Sequence, residues 1–86
     1  MYLPDQRTWE ITLQLHNNLI RYAGERTGSF EVPLSPLETL RKLIQRFQIP
    51  FSEIGVIVLN NTLTSDLDSP LHPGDSVKIF GLIGGG

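Results

Sequence analysis

The chain has 86 residues, 40% of them hydrophobic and 19% charged, and carries a formal net charge of −2. At that length it forms one domain around one modest core, with little room for a deep catalytic cleft. Its 7 Lys and Arg residues form no basic run, which excludes phosphate neutralisation as a main task and with it a nucleic-acid partner. Cysteine is absent, so the chain has no disulfide, thiolate metal site or cysteine nucleophile. No apolar stretch approaches a membrane span, and the opening MYLPDQR lacks the basic flank and apolar core of a signal peptide. A cytoplasmic protein with no membrane partner is expected.

In WEITLQLH, the apolar Trp9, Ile11, Leu13 and Leu15 alternate with Glu10, Thr12, Gln14 and His16. That period of two predicts a strand with one buried face, Trp9 being a core residue at its start. Asn17, Asn18, Gly24 and Gly28 break the following stretch, in which residues 19–23 extend the strand or form a short helical turn. FEVPL alternates again through Phe30, Val32 and Leu34. Pro33 cannot donate to a ladder, which puts this strand at a sheet edge or near its own end.

The period changes at SPLETLRKLIQRF. Ser35 suits an N-cap, Pro36 the first helical position, and Glu38 completes a capping-box spacing, so a helix is predicted to start there. Leu37, Leu40, Leu43, Ile44 and Phe47 make its buried stripe, while Glu38, Arg41, Lys42, Gln45 and Arg46 face away, with Glu38 paired to Lys42. Pro50 ends it. VIVLN, apolar on both faces, reads as an interior strand leading into a tight turn at Asn60 and Asn61, with a short return through residues 62–64. In HPGD, Pro73 and Gly74 occupy the centre of a type II turn, and the last strand, DSVKIF, runs into the closing GLIGGG. The order is strand, strand, helix, strand, short strand, strand. This predicts an α+β unit with one main helix on one face of a mixed sheet of four to five strands.

The closing glycines set the functional question. Glycine gives up the most backbone freedom on ordering and buries no side chain, so a run of it contributes little to a core. With Gly86 terminal, no helix follows to supply the field of a phosphate cradle, and no G-x-x-x-x-G-K-[ST] occurs elsewhere. What the run offers is an α-carboxylate on a slender strand that reaches roughly 20 Å at ~3.3–3.6 Å per residue. Ionised at neutral pH, that carboxylate is a poor acyl donor and needs activation from outside. A partner holding ATP and magnesium can convert it to an acyl-adenylate, open to attack by sulfur or an amine.

The strand order, the helix opening at SPLETL, VIVLN before its asparagine turn, LHPGDSVKIF and the closing GLIGGG together resemble the MoaD/ThiS family of ubiquitin-like sulfur carriers across roughly residues 9–86. The resemblance implies a ubiquitin-like beta-grasp domain over residues 1–80, of which 1–8 are an N-terminal extension, and a flexible tail over residues 81–86. It implies no enzyme but a carrier: Gly86 is the residue adenylated and turned into a thiocarboxylate, and Gly85 gives the slender approach to the partner's active site. Gly84 stands where relatives often carry another small residue. The implied partners are an E1-like adenylating enzyme that uses ATP and magnesium, a sulfurtransferase, and a sulfur-accepting synthase. For that synthase, the large subunit of molybdopterin synthase comes before thiazole synthase, and the chain itself binds no cofactor. The same activated tail serves a ubiquitin-like modifier joined to lysines, and the sheet alone serves a non-covalent adaptor.

Val77 and Ile79 share one face of the last strand, which puts Phe80 on the face the helix leaves uncovered. There Ile57 and Leu59 are expected to join it in an apolar docking patch, the alternative being that Phe80 folds under a loop. Leu82 and Ile83, in the tail, are expected to touch the partner. His16 and His72 lack ligand spacing and read as surface or turn residues, and Asp66 and Asp68 as turn caps rather than a calcium loop.

Overall fold

The computed structural model describes residues 9–24 and 28–82. The expected partner-contact residue Ile83, the tail-entry residues Gly84 and Gly85, the acyl residue Gly86, and the expected extension at residues 1–8, lie outside that span. Five strands form one sheet: β1 (Glu10–His16), β2 (Ser29–Pro33), β3 (Ile54–Leu59), β4 (Thr62–Thr64) and β5 (Ser76–Gly81). Their order is β2-β1-β5-β3-β4, with β1 and β5 parallel at the centre and the other pairs antiparallel. One helix, α1 (Leu40–Arg46), lies between β2 and β3 in the chain and covers one face. This is the ubiquitin-like beta-grasp arrangement.

The period of two decides what is buried. Ile11, Leu13 and Leu15 on β1 and Val77 and Ile79 on β5 join Leu40, Leu43 and Ile44 of α1 in one core, all at 5% exposure or less. Pro33 is the last residue of β2, an edge strand, so its missing N–H interrupts no ladder. Residues 19–23 resolve as helical: a 3-10 helix spans Asn17–Ala23 and buries Leu19 and Ala23. Asn60 and Asn61 both take positive φ, 50° and 67°, as the two-residue hairpin turn between β3 and β4 requires. Gly74 takes φ 87° in the turn before β5, where the Asp75 amide donates to the His72 carbonyl at 3.1 Å.

The helix starts later than the capping pattern predicts. Leu37 adopts φ 60°, which no helix accommodates, so residues 35–38 form a turn and Thr39 is the cap, its hydroxyl accepting from the Lys42 amide at 3.3 Å. Leu37 is therefore 87% exposed rather than part of the buried stripe. Glu38 moves the other way and is buried. Its carboxylate accepts the Ser35 amide at 2.9 Å and is held by Arg46, not by Lys42, through contacts of 2.6 and 2.7 Å. Lys42 reaches the Leu37 carbonyl instead. At the other end Gln48 takes φ 57°, and the Gln48 and Ile49 amides close back on the carbonyls of Gln45 and Ile44. That is a Schellman ending two residues before Pro50.

Trp9 is also misplaced by the alternation. It precedes the first rung of the β1–β2 ladder, Glu10 opposite Pro33, and its side chain is 54% exposed while its carbonyl accepts from Leu34.

Candidate functional site

The sheet face opposite α1 carries an apolar groove at the β3–β5 end, about 560 Å³ in volume and lined chiefly by Val56, Val58, Leu63, Phe80 and Leu82. Register explains its composition. Val56 stands opposite Phe80 on β5, and Val58 stands opposite Leu63 on β4. Leu63 and Leu82 are mostly exposed, and Phe80 is half-buried with its ring stacked on His16 at 4.4 Å between centroids.

Phe80 lies on the uncovered face, one of the two placements the sequence allows, and Leu82, expected in the tail, lines the same groove. Ile57 and Leu59 do not. They stand opposite Ile79 and Val77, and so turn toward α1, where Ile57 is buried and Leu59 packs against the core. The two-sided run VIVL offers two faces equally, and only the pairing register selects one. The residues missed by sequence reasoning are Val56, Val58 and Leu63. A signal existed for them: a two-residue turn at Asn60 and Asn61 pairs Leu59 with Thr62 and therefore Val58 with Leu63.

Beside the groove the chain leaves the sheet. Gly81 belongs to β5 and is buried, so the expected tail over residues 81–86 loses its first residue to the ladder. Gly81 leaves little room: a Cβ there would sit 2.1 Å from Asn18 Oδ1 and 3.2 Å from Leu19 Cγ, so the Asn18 side chain would have to move. A register shift between Ile54 and Val56 lets Ile54 pair with Gly81, and a Cβ on Gly55 would stand 3.2 Å from the Gly81 carbonyl. One step on, the Leu82 amide donates to the Glu53 carbonyl at 3.0 Å.

Glu53, in the 3-10 turn Phe51–Glu53, is bound from the other side by Arg21 and by the Tyr22 hydroxyl, the latter at 3.0 Å. Desolvation works against the Arg21 charge, but the Tyr22 hydroxyl and the Glu53 carboxylate outweigh it and raise its pKa. Across the fold, hydrogen bonds from Arg41 and its charge hold the Asp68 carboxyl below its ordinary value. Asp66 caps the same turn by accepting the Asp68 amide. His72 lies in the turn before β5. Among the described residues, no three His, Asp or Glu side chains gather as a metal site requires, and no helix is long and apolar enough to cross a membrane.

The ThiS family model matches residues 15–86. The chain belongs to the ThiS family. This ThiS-family chain shares its fold with a putative molybdopterin converting factor subunit 1 from Pyrococcus furiosus (19% identity, TM-score 0.66, covering 86% of this chain and 98% of that one). It is also similar to small archaeal modifier protein 1 of Haloferax volcanii, at 13% identity and TM-score 0.65 over 86% of this chain and 98% of the other. A third structure is a complex of subunits 1 and 2 of molybdopterin-converting factor from Helicobacter pylori, matched at 20% identity and TM-score 0.57 over 90% and 99%. Among curated proteins none matches.

Proposed function

We propose that this ThiS-family chain is a sulfur carrier whose reactive atom is the α-carboxyl carbon of Gly86. The observation that carries the reading is the exit of β5: a ladder strand ends at Gly81 beside an exposed apolar groove and leads through Leu82 into IGGG. In the proposed cycle a Gly86 carboxylate oxygen attacks the α-phosphorus of ATP on an E1-like enzyme, and pyrophosphate leaves. The outer sulfur of a persulfide on a sulfurtransferase then attacks the acyl carbon and AMP leaves as the C–O bond breaks; a thiol next attacks the sulfurtransferase's own sulfur in the resulting acyl disulfide, so that the S–S bond breaks and the thiol is oxidised to a disulfide. The product is a thiocarboxylate. Gly84 and Gly85 carry no Cβ and suit a narrow channel, while Phe80, Leu82 and the groove hold the partner's surface.

In this reading the catalytic groups, the ATP and the magnesium belong to the partners, and the cycle is proposed to run in the cytoplasm. A synthase acting on a molybdopterin precursor is the acceptor proposed first, in line with the two neighbours named as molybdopterin-converting factor. A thiazole synthase comes second, in line with the family's name. The neighbour named as a modifier supports a second reading, in which the same adenylate is transferred to lysine amines.

Chain purified from its own host should show by intact mass a species in which sulfur replaces one oxygen, absent when Gly86 is deleted. ATP–pyrophosphate exchange with the adenylating enzyme should fail on the same deletion. Exchange that survives the deletion would refute the carrier reading, and abundant isopeptide conjugates in lysate would favour the modifier.

A further inference from the structure

We propose that Arg21, Tyr22 and Glu53 form a positioning cluster that fixes the direction in which the chain leaves β5, by holding the Glu53 carbonyl where it receives the Leu82 amide. The proposal rests on the carrier reading, because only a chain end that must enter another protein gains from a fixed exit.

Two elements grip the exit. On one side the 3-10 helix Asn17–Ala23 presses Asn18 and Leu19 against Gly81, closely enough that a Cβ would collide. On the other, the turn Phe51–Glu53 supplies the carbonyl that accepts from Leu82 at 3.0 Å, past the last residue of β5. The cluster ties these two elements together. Arg21 donates to one Glu53 carboxylate oxygen, and the Tyr22 hydroxyl donates to the other at 3.0 Å, so both oxygens are engaged. Arg21 donates as well to the Asn18 carbonyl at 2.6 Å, and its guanidinium lies 4.7 Å over the Tyr22 ring. Residue 53 is thereby fixed to residues 18, 21 and 22 from a sequence distance of about thirty, and the side chain and the carbonyl of Glu53 face the two jobs separately.

A stability role explains this poorly. The Arg21 side chain is 52% exposed, and exposed ion pairs add little to global folding free energy. The same contacts suffice to reduce the directions open to the backbone at residue 82. Pre-orientation of that kind lowers the entropy lost when a docked body threads its end into an active site, so its effect falls on the step after docking. Docking itself stays with the apolar groove.

The test uses the full chain and three variants, Arg21→Ala, Tyr22→Phe and Arg21→Lys. Amide hydrogen exchange at Leu82 should speed up about tenfold in Arg21→Ala, less in Tyr22→Phe, with exchange in the centre of β1 unchanged. Arg21→Lys keeps the charge but not the planar fork, and should restore only part of the protection. Single-turnover adenylation by the host's E1-like enzyme at saturating carrier should slow about tenfold in Arg21→Ala, while the carrier concentration for half-saturation stays put. Unchanged Leu82 exchange overturns the cluster whatever the chain does. Faster exchange with an unchanged single-turnover rate overturns its part in activation. An unaltered chain that is never adenylated brings down the carrier reading, and the positioning role with it.

Discussion

Ile79 and Phe80 are neighbours on β5, yet one is fully buried under α1 and the other looks out of the opposite face onto a groove. At the β3–β5 end both faces of the sheet carry apolar side chains from the same strands, whereas on β1 the open face is polar. The difference between them is what covers each: Val77, Ile79, Ile57 and Ile11 meet Leu40, Leu43 and Ile44, whereas Val56, Leu63 and Leu82 are left with 43%, 71% and 56% exposure. Burial converts hydrophobic side chains into folding energy, and exposure keeps them available to a partner. Truncating one face should therefore cost stability and truncating the other should cost binding. Ile79→Ala gives the largest effect. It should lower unfolding free energy by about 3 kcal/mol, a melting shift on the order of 15 °C in a domain of this size, measurable by urea and thermal unfolding.

Among the described residues the buried face has one polar intruder, Glu38, and it gives the next effect. Glu38 is 1% exposed and relies on Arg46, which also donates to the Pro33 carbonyl at 3.0 Å and so fastens α1 to the end of β2. Arg46→Ala leaves the carboxylate buried without its counter-charge and should cost about 2–3 kcal/mol, the lower part of the usual range because Arg46 reaches solvent. A Glu38→Gln, Arg46→Met double variant should recover part of the loss, since it removes the charge along with its partner. Recovery would show that the charge, rather than the packing, sets the penalty.

Glu38 also shows how far the sequence could be read. The alternation of β1 from Ile11 onward, the Pro33 edge, the asparagine turn and the Pro-Gly turn are local, each set by a few neighbouring residues, and these appear in the fold as expected. The helix start was misread because Ser35 and Glu38 do form half of the capping box, the Glu38 carboxylate accepting the Ser35 amide, around a turn instead of a helix. Leu37 at φ 60° decides between the two, and the loop carbonyls of Ser69 and Leu67 that receive the Leu40 and Arg41 amides are distant in sequence. The groove suffered from the same kind of remoteness. Which of Val56 or Ile57 faces outward depends on the register with β5, and the sequence carries that only through a chain of pairings from the Asn60 turn.

On the open face the comparison predicts small changes in stability and larger ones in docking. Leu63→Asn removes an apolar group that is already mostly in water, so unfolding free energy should move by less than about 0.5 kcal/mol. Affinity for the activating enzyme or the synthase, measured by calorimetry, should fall at least about tenfold if the groove is the central contact. Phe80→Ala should do the same with a modest stability loss besides, because its ring is half-buried against His16. An open-face variant that unfolds the protein while binding normally would erase the distinction between the faces.

The smallest effect tests whether charge on the helix side matters outside the core. Arg41 donates from two nitrogens to the two oxygens of Asp68, at 3.0 and 3.3 Å, on an exposed surface. That contact lowers the Asp68 pKa in the folded state. As pH falls, the unfolded chain takes up the Asp68 proton first, near the ordinary carboxylate value of about 3.9, and the folded chain only at lower pH. The pair's contribution is thus full above that value and drains away as pH drops through the folded pKa. Asp68→Asn should lower the urea midpoint slightly at neutral pH, and the gap from the parent should close as the acid limb is reached. Salt should narrow the gap at neutral pH as well, since an exposed pair is screened, whereas the Glu38–Arg46 contact should hold its value. A gap that widened toward acid would mean that Asp68 is destabilised in the fold, and would reverse the sign assigned to its partnership with Arg41.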